Sequence, residues 1–234
     1  MEKKRIYLLI NSLEAGWAER VLVNLSENLR KEYAIDIITL KGSKFYTLWS
    51  DIRHIPMSSI TSNIGMVFLF PYYLYKFRRT LRANSYSSWV SSLELSNFIH
   101  ILSKKNASIC FEINILFFQW IIGFFYKIFI RLLYPRAWKI KVNSEENKVS
   151  LVSYLSIHKD KIVSIYNPID LEKIKSHHIN KEIQEQVLGK ARGKKVFTTV
   201  WRLVWQKRHI KILEAFRILK EGGRDDFYYM IIGD

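Results

Sequence analysis

Strands alternating with helices along a 234-residue chain predict an α/β protein with a parallel, doubly wound, Rossmann-like sheet and flanking helices. Three observations support this. Short apolar runs of strand length recur from the N-terminus to residue 166. The segments between them carry apolar residues at helical spacing. The first two runs are joined by a loop and a helix in about the length a βαβ unit needs.

Residues 5–10 form the first strand, and Ser12 to Gly16 a loop. Apolar positions 18, 21, 22, 25 and 29 mark a helical stripe over 18–30. A second strand covers 34–40 and ends at Lys41 and Gly42; a short one is expected at 52–55. Residues 66–81 read as one amphipathic, aromatic helix. Lys76, Arg78, Arg79 and Arg82 lie toward its C-terminal end, where cations suit the helix dipole. A strand at 89–92, a helix at 95–105 and a strand at 107–111 follow. Cys110, the single cysteine, is flanked by Ile109 and Phe111 and is expected to be a buried strand thiol in a reducing cytoplasm. Residues 139–143 read as a strand. Residues 144–155 read as a helix capped by Ser144, with Glu145 and Glu146 in its first turn. The next strand, 161–166, runs into Asn167 and Pro168.

Beyond Pro168 the character changes. Residues 169–194 are polar and read as an interdomain connection with a short helix. Adjacent His177 and His178 do not share a helix face, so they read as solvated side chains, not a metal pair. Residues 195–234 open a second β-α-β unit that is incomplete at Asp234. The expected organisation is one domain over 1–168, a connection over 169–194, and the start of another domain over 195–234.

Composition is globular, 49% hydrophobic and 25% charged. The formal net charge of +16 favours a polyanionic partner. That charge is spread along the chain without a basic arm or recognition helix, which argues against nucleic acid. Lys3, Lys4 and Arg5 precede only a short apolar run with no small-residue cleavage site, so this is a first strand and not a signal peptide. Residues 113–126 carry no charge, but a spanning helix needs about twenty apolar residues. Lys127 and Arg131 follow at i,i+4 and share a side. Such a helix suits either a core crossover or a membrane interface. The 66–82 segment has the same aromatic and basic make-up, which raises the interfacial reading.

No Walker loop, Gly-x-Gly-x-x-Gly, His-Glu-x-x-His or Gly-x-Ser-x-Gly pattern is present. The informative loops are 11–20 and 200–207. Arg202 and Lys207 sit just past a strand end and face a helix start, where α/β proteins hold the phosphates of a nucleotide.

Several motifs occur in a characteristic order: Ser12-Leu-Glu-Ala-Gly16 with Ala18-Glu19-Arg20-Val21, Ser92-Leu-Glu-Leu-Ser-Asn97, and Glu112 with Asn114. Leu132-Leu-Tyr-Pro-Arg-Ala137, Val142-Asn143-Ser144, Ile165-Tyr-Asn-Pro-Ile-Asp170, Arg202 with Lys207, and Gly233-Asp234 follow. On these the chain resembles the family 4 glycosyltransferases, retaining enzymes of the GT-B fold, over essentially its whole length. Each motif is weak alone; together they are specific.

The resemblance implies sugar transfer from a UDP- or GDP-sugar to a lipid-linked or polysaccharide acceptor, with no metal and no other cofactor. It implies a peripheral enzyme on the cytoplasmic face of an anionic membrane. Arg202 and Lys207 would bind the donor diphosphate, whose developing charge needs cations. Gly16, Trp17, Glu19, Glu112 and Asn114 would line the acceptor cleft, with Glu19 and Arg20 also able to cap and brace the first helix. Lys76, Arg78, Arg79, Arg82, Lys127 and Arg131 would face the membrane.

Trp17, Trp201 and Arg208 stand where the family has glycines that permit close approach and positive φ, and Trp138 replaces a small acidic residue. A tryptophan at 17 or 201 would fill space a ligand needs. The family's donor-binding glutamates and Gly-rich donor loop would lie beyond Asp234, so the second Rossmann-like domain is truncated and no catalytic residue is assigned. The expectation for this chain alone is little or no activity. A rival expectation is a non-catalytic module, derived from such an enzyme, that only docks to membrane.

Overall fold

The computed structural model describes residues 3–60, 62–103, 107–110, 121–169, 171–176, 181–201, 203 and 207–233. It divides into two compact units, Met1–Ile169 and Asp170–Asp234.

In the first unit seven strands form one parallel sheet: β1 (Arg5–Ile10), β2 (Ala34–Thr39), β3 (Arg53–Pro56), β4 (Ser88–Ser92), β5 (Ser108–Cys110), β6 (Lys139–Val142) and β7 (Ile162–Ser164). Their order is β3-β2-β1-β4-β5-β6-β7. The order reverses between β1 and β4, the topological switch point of a doubly wound sheet. β1 is apolar and buried from Ile6 to Ile10 because both its faces are covered. Ile6, Leu8 and Ile10 pack with Leu22 and Val23 of helix α1 (Trp17–Leu29). Tyr7 and Leu9 pack on the other face with Tyr73 and Phe77.

The sequence-derived stripe on α1 is rotated. Ala18, Leu22, Val23 and Ser26 are buried, whereas Val21, Leu25 and Leu29 line an apolar recess of about 360 Å³ against the sheet. Cys110 borders the same recess and is half-buried, not buried as expected.

The single helix expected over 66–81 is two, α2 (Asn63–Phe68) and α3 (Phe70–Ala83). Ser62 caps α2, its Oγ accepting from Gly65 N at 3.3 Å. Pro71, in the first turn of α3, explains the break: it lacks an N–H and its ring blocks a continuing helix. Helices α4 (Glu94–Ser103) and α5 (Ile121–Leu133) follow, and α3, α4 and α5 pack side by side. Ser144 caps α6 (Glu145–Leu155), its Oγ accepting from Asn147 N at 3.2 Å. Leu151 and Leu155 of α6 join Ile140, Val142 and Ile162 in a core that also takes Ile130 and Leu133 of α5.

One charge lies inside the sheet. Asp36 of β2 is buried and accepts from Arg53 Nε at 3.0 Å and Tyr86 OH at 2.6 Å, with Arg5 at 3.6 Å. The pairs tie β3 and the chain before β4 to β2, and they satisfy a carboxylate that would otherwise be costly to bury.

The second unit contains α7 (Leu171–Lys175), α8 (Lys181–Lys190), β8 (Lys195–Val200), α9 (His209–Glu221) and β9 (Phe227–Ile232). Residues 169–194 thus carry two helices where one was expected; His177 and His178 lie outside the described residues. β8 and β9 pair in parallel across α9. Phe216 of α9 is their hub, with ring centroids 4.5 Å from Tyr229, 4.9 Å from Phe227 and 5.2 Å from Phe197.

Candidate functional site

In a doubly wound sheet ligands bind beyond the carboxyl ends of the strands at the switch point. Here those ends are the loops after β1 and β4, and α4 holds both. Asn11, directly after β1, accepts at Oδ1 from Ser96 N at 3.1 Å and Ser96 Oγ at 2.7 Å. The next residue, Asn97, is fully buried. It accepts from Ser91 Oγ at 2.7 Å and donates from Nδ2 to Cys110 O and Tyr134 OH, each at 2.9 Å. The first turn of α4 therefore clamps the ends of β1, β4 and β5. Leu93, between β4 and α4, adopts φ 72°, a left-handed conformation that is rare for a branched side chain. Such strain clusters at functional turns because surrounding contacts must hold it.

The buried network extends further. His100 Nδ1 lies 2.9 Å from Ser91 Oγ, and its Nε2 lies 3.0 Å from Tyr7 OH. Burial pushes the Tyr7 phenol far above its ordinary range, so it stays protonated.

The loop after β1 is fixed from below. Lys41 is only 2% exposed and its Nζ donates to Glu14 Oε1 at 2.8 Å; Ser43 Oγ donates to the same oxygen at 2.9 Å. The Lys41 ammonium, with Ser43 and Ser12 also donating, holds the Glu14 carboxyl below its usual range, although burial acts in the other direction. Glu14 thus stays ionised at the loop. The sequence reading missed the Glu14–Lys41 pair. Its partners are 27 residues apart and only the β1–β2 pairing brings them together.

Gly16 is the N-cap of α1. A Cβ there would lie 2.0 Å from Glu19 Oε2, so any side chain at 16 would have to displace a carboxylate folded back over the helix start. An acid in this place suits the positive end of the helix. Glu19 is buried, in keeping with the capping alternative. Arg20 lies over the Tyr46 ring at 5.3 Å, and Tyr46 OH donates to Gly16 O at 3.1 Å, so Arg20 braces the turn. Trp17 is 67% exposed and points away from the core. Glu112 and Asn114 lie outside the described residues.

The turn after β8 is built differently. Lys207 Nζ sits 3.6 Å from the centroid of the Trp201 ring, a cation–π contact. Trp201 thus stacks against the Lys207 ammonium. Arg208 is the N-cap of α9 with φ 51°, ψ 36°. Of the three positions where glycine was expected, 17, 201 and 208, only 208 has the positive φ that glycine tolerates freely. No acid lies in the first turn of α9. Arg202 lies outside the described residues. Trp138 is exposed beside β6.

The basic segments separate into two kinds. Tyr75, Arg78, Arg79 and Arg82 follow i, i+3, i+4, i+7 along α3 and are all exposed, although Arg78 Nη2 turns to donate to Leu102 O of α4 at 2.8 Å. Lys76 lies off this stripe: its Nζ donates to Met57 O. On α5, Ile130 and Leu133 enter the core while Phe124, Phe125, Phe129 and Leu132 are exposed. Arg131 is exposed and Lys127 half-buried, on the flank between these faces. No helix among the described residues is long and apolar enough to cross a membrane. No cluster of three His, Cys, Asp or Glu able to hold a metal occurs among them.

Comparison with known proteins agrees with this layout. The family model described as Glycosyltransferase Family 4 matches residues 16–173. A protein of Campylobacter jejuni subsp. jejuni serotype O:2 is 26% identical over 244 residues, covering 99% of this chain and 63% of that protein. It is named N-acetylgalactosamine-N,N'-diacetylbacillosaminyl-diphospho-undecaprenol 4-alpha-N-acetylgalactosaminyltransferase. The chain thus spans under two thirds of that relative's length. Among solved structures, WaaG, a glycosyltransferase involved in lipopolysaccharide biosynthesis, has a TM-score of 0.70 at 12% identity, covering 97% of this chain and 62% of WaaG. Anabaena HepE in complex with UDP has a TM-score of 0.60 at 12% identity, covering 97% and 69%. These likenesses show the fold, the GT-B architecture that the motifs implied. With most of its length matched by the family model, the chain belongs to glycosyltransferase family 4.

Proposed function

We propose that this chain forms the acceptor-side domain and the opening β-α-β of the nucleotide-sugar domain of a retaining glycosyltransferase. Its reaction is transfer of a sugar from a UDP- or GDP-sugar to a lipid-linked or polysaccharide acceptor of the cell envelope. The observation that carries this is a contrast between two strand-to-helix turns. The helix after β1 is closed by its own Glu19 against Gly16, so a phosphate there would meet a carboxylate. The helix after β8 has no acid in its first turn and has Lys207 seated beside it, so it favours an anion. The donor diphosphate is assigned to that second turn, on Lys207 with Arg202, where developing charge on the leaving group is neutralised without a metal. The acceptor is assigned to the loop and helix start after β1, with Gly16, Trp17 and Glu19, and to Glu112 and Asn114 further along the chain, to which the anchored Glu14 is added. The Campylobacter relative's name, a transferase acting on a diphospho-undecaprenol-linked glycan, supports a lipid-linked acceptor.

Such an acceptor places the chain on the cytoplasmic face of a membrane. The arginine stripe of α3 suits anionic headgroups, and the exposed rings of α5 suit the interface. Titration of the chain with UDP, followed by amide NMR, tests the donor assignment. Shifts should concentrate at Trp201 and in residues 207–212, with weak affinity of about millimolar, and should spare residues 14–20. Shifts centred on the start of α1 would refute it. Flotation with phosphatidylglycerol vesicles should exceed flotation with phosphatidylcholine and fall when Arg78, Arg79 and Arg82 become Gln. Equal flotation with both lipids would remove the membrane role from that stripe.

A further inference from the structure

We propose that Phe45 and Glu14 together hold the terminal sugar of the acceptor, the Phe45 ring stacking on its C–H face and Glu14 accepting from its hydroxyls, so that this sugar is an uncharged pyranose. This rests on the acceptor assignment above and adds to it a platform from the chain after β2.

The two residues are brought together by backbone pairing. Leu13, in the loop after β1, forms a parallel bridge with Lys44, in the chain after β2. Leu13 N donates to Ser43 O at 3.2 Å, and Phe45 N donates to Leu13 O at 2.8 Å. Paired residues share a face and their neighbours take the other. Leu13 and Lys44 therefore lie on one face, and Glu14, Ser43 and Phe45 on the opposite one. The bond from Ser43 Oγ to Glu14 Oε1 at 2.9 Å agrees with this. The buried Lys41 holds the same oxygen, so the carboxylate is fixed in direction. Phe45 is 69% exposed, although its backbone is tied to the loop. An open ring is thus presented beside a fixed, ionised carboxylate, beyond the carboxyl ends of β1 and β2 where such sheets bind ligands.

Other rings of the same segment are already in use. Arg20 lies 5.3 Å from the Tyr46 centroid and Arg30 4.0 Å from the Trp49 centroid. Among the described residues Phe45 meets only the Tyr46 ring, at 5.2 Å and 87°. Glu14 takes donors from Lys41, Ser43 and Ser12. A carboxylate has about four acceptor positions, so one is left for a ligand hydroxyl. The Glu14 side chain is half exposed and can be reached. A pyranose offers both complements: an apolar C–H face for the ring and hydroxyl donors for the carboxylate. A purely apolar guest would desolvate Glu14 without a hydrogen bond in return. A uronic acid or a phosphate in this place would set a second negative charge against it.

NMR on the full chain tests the proposal, by amide shifts and saturation transfer. The neutral probes are the methyl glycosides of glucose, N-acetylglucosamine and N-acetylgalactosamine; the charged probe is methyl glucuronide. At least one neutral probe should bind with about millimolar affinity and shift amides in residues 13–17 and 43–46. Methyl glucuronide should bind about tenfold more weakly. Phe45→Ala should weaken the neutral probe about fivefold, and Phe45→Tyr should keep wild-type affinity. Trp49→Ala removes an exposed ring that Arg30 covers and should leave binding unchanged. Both alanine variants truncate exposed side chains, so the fold is kept. A neutral probe that shifts residues 13–17 and binds Phe45→Ala as it binds wild type overturns the platform and leaves the acceptor assignment standing. Glucuronide binding as tight as that of the neutral sugars overturns the role of Glu14. Absence of binding by every neutral probe at about 50 mM, or shifts away from both loops, overturns the acceptor assignment and the platform with it.

Discussion

Replacing Asn97 by Ala would test whether α4 clamps the strand ends that carry the site. The side chain is fully buried and makes three hydrogen bonds, one accepted from Ser91 and two donated to Cys110 O and Tyr134 OH. At about 1–1.5 kcal/mol each, their loss amounts to roughly 3–4 kcal/mol, and the small void left behind adds to it. The expected cost is about 3–5 kcal/mol, a large fraction of the stability of an ordinary domain. Urea unfolding followed by far-UV circular dichroism should show the midpoint falling by about 2 M with an unchanged slope. Hydrogen exchange adds a local readout: amides at the end of β5 should open before those of β1 and β2. A loss below about 1 kcal/mol, or uniform acceleration across the sheet, would refute the clamp and reduce Asn97 to one buried polar group among several.

Arg208→Gly should stabilise the second unit by about 0.5–1 kcal/mol, since relief of a left-handed residue outweighs the added chain entropy of glycine; slower hydrogen exchange in α9 would show it, and faster exchange would contradict it. Gly16→Ala should cost about 1–2 kcal/mol by displacing Glu19, and adding Glu19→Ala should recover part of that loss in a urea double-mutant cycle. Strict additivity would disprove the contact. Burial holds His54 below its ordinary range, with Lys44 acting in the same direction. The unfolded chain then binds the proton more readily, so stability rises with pH across this window and falls as pH drops below about 6.5. Urea stability at pH 7.5 and 5.5 should show this slope, reduced in His54→Gln; equal slopes would rule His54 out as a source.

Much of the fold was legible because parallel strands covered on both faces read as short apolar runs, as residues 6–10 do and as 34–39 do apart from Asp36 and Thr39. The capping of α6 by Ser144 was legible for a similar reason: its bond spans three residues. Errors arose where a neighbour distant in sequence decides. The rotated burial on α1 follows from which strands lie beneath it, and the stripe formed by Val21, Leu25 and Leu29 borders a recess that no local pattern reveals. The break at Leu69 was in principle readable from Pro71, but the aromatic periodicity on either side obscured it.

The motifs starting at Gly16 and at Ser92–Asn97 resemble those of the family 4 glycosyltransferases and fall within the matched residues 16–173; each is a short contiguous segment readable without its neighbours. Which partners the residues of these segments meet was decided only by tertiary structure. Glu19 folds back over its own helix start, Lys41 at the end of β2 reaches the neighbouring loop after β1 to fix Glu14, and Asn97 joins the ends of β4 and β5. Each contact depends on strand register and helix packing. The sequence names the groups, but only the folded sheet sets which of them stand within hydrogen-bonding distance.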